Sequence, residues 1–126
     1  NPVRIIIDKK IQISQDKKIF NKDASTIIFN EIINKEVNST KFIQISFDNL
    51  IDNILLCLFK AGIQSIIIEG GQKTLKSFID INKWDEARIF TTKKILNKGL
   101  ISPKLVNLKG EKKQIGDDTI EIIHNK

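Results

Sequence analysis

Cysteine and histidine occur once each, as Cys57 and His124, and methionine and tyrosine are absent. A single cysteine excludes an internal disulfide and any Cys-x-x-Cys metal or redox site. A single histidine excludes a histidine-rich zinc site, so no metal site is expected. It also restricts a Ser–His–Asp triad to His124, and no Gly-x-Ser-x-Gly elbow supplies the serine. His124 therefore reads as an ordinary strand-end residue. Cys57 sits among Leu55, Leu56, Leu58 and Phe59 and reads as a small buried hydrophobe. A Gly-x-x-x-x-Gly-Lys-Ser/Thr phosphate loop is missing, and so is a complete Gly-x-Gly-x-x-Gly. No apolar run reaches the about 18 residues of a membrane span, and no secretory leader is visible. The expectation is a cytoplasmic protein with no membrane partner.

Hydrophobic residues make up 40% and charged residues 29% of 126 residues, a globular composition sized for one domain with one core. The dominant apolar residue is isoleucine, which favours strands. The net charge is +6, yet Arg4 and Arg88 are the only arginines among 21 basic residues. Lysine is a point charge without the forked base contact of arginine, and the aromatic platform of single-strand binders is missing. Nucleic acid is thus not an expected partner. Nucleotides or phosphorylated metabolites suit the charge better.

Along the chain, residues 3–8 (VRIIID) read as a buried strand ending at Asp8. Ile11 and Ile13 alternate with polar residues as a weak edge strand would. Residues 25–30 (STIIFN) form a second strand, and the polar stretch 31–40 reads as a loop. Residues 42–47 (FIQISF) alternate as a half-buried strand. Asp48 is placed to cap a helix whose stripe is Leu50, Ile51, Ile54, Leu55, Leu58 and Phe59, closed by Gly62. Residues 66–68 are three isoleucines, the pattern of a buried strand. They stop at Glu69-Gly70-Gly71, after which Leu75, Phe78 and Ile79 recur at helical spacing. Residues 42–79 thus predict strand–helix–strand–helix with parallel strands and a right-handed crossover. Residues 87–91 predict another strand, 93–102 a loop, 105–108 a short strand, and 114–124 a terminal hairpin. Trp84 is assigned to packing.

Parallel α/β sheets bind ligands beyond the carboxyl ends of their strands. Asp8, Lys9, Glu69 and the Gly70-Gly71 turn would line one cleft if their strands are neighbours. The bland reading of Asp8 is turn formation with Lys9. Glu69, directly after three isoleucines, would need a hydrogen-bond donor. A helix beginning after a glycine turn aims unpaired N–H groups at an anion. Lys73 and Lys76 in its first turns oppose the helix dipole, a penalty that a bound phosphate reverses. Two solvated lysines in a lysine-rich chain are the plain alternative.

The pieces NPVRIIID (1–8), TIIF (26–29), IIIEGG (66–71), WDE (84–86) and the Gly99…Pro103 loop follow one another in an order that resembles the reductase domain of the bifunctional riboflavin-biosynthesis deaminase/reductase, over essentially the whole chain. The resemblance implies an α/β, dihydrofolate-reductase-like fold: a mixed, mostly parallel sheet flanked by helices, with a C-terminal antiparallel hairpin. It implies NADPH-dependent reduction of 5-amino-6-(5-phosphoribosylamino)uracil, a phosphorylated pyrimidine, to its ribitylamino form. By this resemblance Glu69 faces the substrate, and Gly71, Gln72, Lys73, Thr74, Leu75, Lys76 and Ser77 bind the cofactor. Lys9 takes a cofactor-contacting position where the family often has serine, and Asp8 shapes the cleft. No residue is assigned as catalytic. The family's reductase domain starts well before Asn1-Pro2 and carries an interior strand there, so residues 1–126 are expected to be the C-terminal part of one domain. That places an N-terminal deaminase domain outside this chain, and a homodimer is the expected assembly. The alternative is a nucleotide-binding or dimerisation domain of this fold without turnover.

Overall fold

A computed structural model describes residues 1–105 and 108–125. The chain divides into two compact units, Asn1–Ile66 and Ile67–Lys126.

The first unit holds β1 (Arg4–Ile7), β2 (Thr26–Asn30), β3 (Lys35–Val37), β4 (Thr40–Gln44) and helix α1 (Leu50–Lys60). Its sheet runs β1-β2-β4-β3. β1, β2 and β4 are mutually parallel, in register Ile6↔Ile28 and Ile28↔Phe42, and β3 is antiparallel to β4. Ile28, Phe29 and Asn30 of β2 are buried in succession, so both faces of this strand are covered, as expected inside a parallel sheet. Phe29, Ile54 and Leu58 form the core, with Ile5, Ile7, Ile43, Ile63 and Ile66 packed around them. Cys57 joins this cluster half-buried.

Four expectations shift here. Ile11 and Ile13 do not form a strand. Ile11 takes a left-handed φ of 54°, and the Asp8 carboxylate accepts the N–H groups of Gln12 and Ile13, both at 2.9 Å. A strand partner would need those same donors. The stretch 31–40 hides β3, which pairs through a two-residue turn in which Asn38 takes a left-handed φ of 55°. Every residue of β3 is exposed, so no apolar pattern marked it. Helix α1 starts from Asn49 in the left-handed region, not from Asp48, and has no side-chain cap. Instead Asn53 Nδ2 donates to the carbonyls of Ser46 and Asp48 and ties the first turn down. Phe59 lies outside the buried stripe of Ile51, Ile54 and Leu58 and is exposed. The helix end is as expected. Gly62 has φ 79°, its N–H reaches Phe59 O, and Ile63 N–H reaches Leu58 O, which closes the last turn.

The second unit holds α2 (Gln72–Asp80), β5 (Glu86–Thr91), β6 (Glu111–Ile115) and β7 (Asp118–His124). Its sheet is β5-β7-β6 and fully antiparallel. The terminal hairpin turns at Gly116, φ 59°. Phe78, Ile120 and Ile123 are its buried apolar residues. Half-buried Trp84 gives its carbonyl to Asn125 Nδ2 at 2.7 Å, which anchors the chain end to the start of β5.

The largest departure is at residues 66–68. No strand forms there among the described residues, and Ile67 is 89% exposed. A strand exists only by pairing, and three isoleucines supply propensity without a partner. The predicted strand–helix–strand crossover over 42–79 is therefore not completed. Among the described residues, parallel pairing is confined to β1, β2 and β4. The strand expected at 105–108 lies partly outside the described residues, and Leu105 and Leu108 belong to no strand.

Candidate functional site

The turn into α2 is built for close approach. Gly71 is the N-cap of the helix, with φ −62°, a value open to any residue, and no side-chain cap. Its carbonyl accepts the N–H groups of Thr74 and Leu75 at 3.0 and 3.2 Å. The N–H groups of Gln72 and Lys73 have no acceptor among the described residues. The two glycines differ in what they need. A Cβ on Gly70 would lie 2.8 Å from Thr74 Cβ, so packing demands glycine there. A Cβ on Gly71 would meet nothing within 4 Å. Neither conformation nor packing requires Gly71 to be glycine. It leaves open ground above two free amides.

Around this ground the predicted side chains separate by state. Lys73 is exposed and has no ion-pair partner among the described residues. Lys76 is paired with Asp80 four residues on, at 2.7 and 2.6 Å, so it is not the second free cation that its position promised. Both ends of that pair are exposed, and such pairs contribute only a few tenths of a kcal/mol. Ser77 Oγ donates back to Lys73 O at 2.9 Å. Thr74, Leu75 and Gln72 are half-buried. Glu69 is exposed, so water satisfies its carboxylate, and the buried donor expected for it is not needed. A cavity of about 260 Å³ lies beside Gln72, Lys76 and Asp80. Ile101, Ser102 and Pro103 supply its other wall, a lining that no spacing in the sequence disclosed.

Asp8 and Lys9 belong to the first unit, so each half of the expected cleft is described on its own. Asp8 is buried and spends both carboxylate oxygens on the Gln12 and Ile13 amides, which is the turn-forming reading. Lys9 Nζ lies 3.2 Å from Glu31 and 5.2 Å above the ring centroid of Phe47. Both partners were missed in the sequence, where nothing ties residues 31 and 47 to residue 9. Asn30 was missed as well. It is fully buried at the end of β2, where its Oδ1 accepts from Ile32 and Ile33 N–H at 2.8 and 2.7 Å. A polar residue closing an apolar strand was its only sign. Beyond the end of β4, a cavity of about 340 Å³ is lined by Ile45, Ser46, Asn53, Leu56, Cys57 and Lys60. His124 is exposed beside Glu86, at 3.7 Å. Among the described residues no group of three or more His, Cys, Asp or Glu is placed to hold a metal, and no helix is long and apolar enough to cross a membrane.

A parallel three-stranded core, and a glycine turn leading into a helix start whose first amides are unpaired among the described residues, define an α/β protein. The chain belongs to the family described as the RibD C-terminal domain, which matches residues 1–119. It is 31% identical to the riboflavin biosynthesis protein RibD of Aquifex aeolicus over 106 residues, 79% of this chain and 29% of that protein. A crystal structure from Thermotoga maritima, described as a diaminohydroxyphosphoribosylaminopyrimidine deaminase/5-amino-6-(5-phosphoribosylamino)uracil reductase, superposes with TM-score 0.82 at 26% identity, covering 100% of this chain and 38% of that one. A RibD structure from Acinetobacter baumannii gives TM-score 0.73 at 14% identity, a likeness of fold alone. The fold is the dihydrofolate-reductase-like one of these reductase domains. The chain spans well under half the length of the relatives it matches.

Proposed function

We propose that this chain is the C-terminal part of a reductase domain in riboflavin biosynthesis. It works as an NADPH-dependent oxidoreductase on 5-amino-6-(5-phosphoribosylamino)uracil, reducing the opened ribose to the ribitylamino form. Support comes from the family membership and from the activity named for the Thermotoga relative. The observation that carries the cofactor reading is Gly71: open space over two unpaired amides, one of them that of Lys73, whose exposed ammonium has no ion pair among the described residues. That donor set fits a phosphate group. Gly71, Gln72, Lys73, Thr74, Leu75, Lys76 and Ser77 are its proposed contacts. Bound there, the cofactor supplies the hydride. The protein's own task is to hold both reactants in line and exclude water, which needs few reactive side chains. Glu69, exposed at the edge of the turn, is the proposed substrate contact. Lys9, in the first unit, is a further proposed cofactor contact, able to exchange the exposed carboxylate of Glu31 for an anionic ligand.

The reading includes one domain, of which the two units are parts, completed by a preceding segment that pairs with residues 66–68. It includes a deaminase domain further upstream, a homodimer and a cytoplasmic location. A non-catalytic nucleotide-binding or dimerisation domain is the second reading. It is favoured by a Glu69 with no protein partner among the described residues.

The test is Gly71→Val in the intact protein. The φ of −62° and the empty surroundings leave the fold unaffected, so the melting temperature should stay within about 2 °C. NADPH affinity measured by calorimetry should fall at least about tenfold, a loss of about 1.4 kcal/mol. Unchanged affinity would remove the phosphate site from this turn. Affinity without turnover in the unaltered protein would favour the second reading.

A further inference from the structure

The cavity of about 260 Å³ beside α2 is walled by two stretches of unlike charge. On the helix side stand Gln72, Lys76, Ile79 and Asp80. Spacings of four and three place Gln72, Lys76 and Ile79 along one side of the helix, from its first residue onward. The rest of the lining is Ile101, Ser102, Pro103 and Lys104. These belong to a stretch, Thr92 to Gly110, that contains five lysines and no carboxylate. Lys104 is exposed and has no ion-pair partner among the described residues. Asp80 is the one carboxylate of the lining among the described residues, and Lys76 engages it. The cavity thus holds a surplus of one positive charge. The Lys76 and Asp80 side chains are 60% and 53% exposed, so water already competes for their pair. A dianion can draw Lys76 to itself at small cost.

Three features fix the class of ligand. Ammonium groups are point charges with several donors, and they suit the open oxygens of a terminal phosphate. A phosphate monoester has a second pKa of about 6, so at neutral pH it carries charge enough for two lysines. Ser102 Oγ makes one long hydrogen bond, 3.3 Å to the Pro103 carbonyl, which it can exchange for a phosphate oxygen. Ile79, Ile101 and Pro103 offer apolar surface to the carbon skeleton that bears the phosphate.

We propose that this cavity is a subsite for a phosphate monoester, held by Lys104 with Lys76 and Ser102 and separate from the free amides at the Gly71 turn. The proposal rests on the functional reading above, because that reading supplies two monoesters: the 2′-phosphate of NADPH and the phosphate of the substrate's ribose. Lys104 is then a residue of specificity, which touches a charge remote from the reacting atoms.

Lys104→Gln in the intact protein tests it. Lys98→Gln, from the same stretch but outside the cavity, is the control. Calorimetric titration with NADPH and with NADH, which differ only in the 2′-phosphate, reads one source. Titration with the phosphoribosyl substrate and with its dephosphorylated form reads the other. Lys104→Gln should cut the preference for the phosphorylated member of one pair at least about tenfold, and Lys104→Arg, which keeps the charge, should retain most of it. The pair that responds names the occupant. Preferences unchanged in both pairs overturn the subsite. So does an effect of Lys98→Gln as large as that of Lys104→Gln, which would make the stretch a diffuse cationic field. Gly71→Val behaves differently under the functional reading: it should weaken NADPH and NADH alike, since both carry the pyrophosphate. If the unaltered protein binds neither cofactor nor substrate, the functional reading falls, and titration with inorganic phosphate decides the subsite. It stands if Lys104→Gln weakens phosphate binding at least about threefold, and falls if the two proteins bind phosphate equally.

Discussion

At the scale of single residues, two kinds of polar group separate: buried ones that serve the fold, and a few exposed ones without a partner among the described residues. Asn30 shows the first kind. Its Nδ2 reaches the carbonyls of Ile28, Ile33 and Ile43, while its Oδ1 satisfies two backbone amides, so one side chain closes the ends of β2 and β4 together. Asn30→Ala strands those amides in a place water does not reach. A loss of roughly 2–4 kcal/mol in urea unfolding is expected. A loss under about 1 kcal/mol would mean that water replaces the side chain. Asp8 belongs with Asn30: both carboxylate oxygens are spent on backbone, so its placement at a strand end is architecture. Glu69, Gly71 and Lys73 show the second kind. They are exposed and have no partner among the described residues; Glu69 and Gly71 stood out in the sequence because they end an apolar run, and Lys73 because it lies in the first turn of the helix that follows.

At the scale of elements, helix α1 illustrates what local sequence controls. Ile51, Ile54 and Leu58 at spacings of three and four are buried, each contributing about 1.5–3 kcal/mol by leaving water. Gly62 stops the helix because its φ of 79° suits no side chain well. Gly62→Ala adds a Cβ with nothing within 4 Å, so its cost is conformational alone, about 1 kcal/mol in thermal or chemical unfolding. A neutral result would show that the turn relaxes out of the left-handed region. The helix start was not legible. Asp48 has the right chemistry for a cap, but the chain enters α1 through a left-handed Asn49, and Asn53 secures the entry from inside the helix. Strand β3 was not legible either, since hydrogen bonding to β4 makes it a strand and its side chains meet only solvent.

At the scale of the whole molecule, the governing feature is the stretch 66–68. It has the composition of a central strand yet pairs with no strand among the described residues: Ile67 is 89% exposed, while Ile66 and Ile68 are half-buried. If a preceding segment completes the sheet in the intact protein, the amides of Ile67 and Ile68 should be strongly protected from hydrogen exchange there. Exchange as fast as in an unstructured peptide would count against that completion. What the sequence determined by itself was local. The periodicity of α1 and α2, the isoleucine-rich β1 and β2, the hairpin at Gly116, and a glycine turn opening onto a helix start all depend on neighbours within a few residues. The tertiary structure decided the rest: that Asp8 satisfies a turn, that Lys76 is taken by Asp80, and that Lys9 sits over Phe47. Those outcomes depend on which groups meet across the chain. A side chain's reach is a few ångströms in space, and nothing in linear order says which distant residue will fall within it.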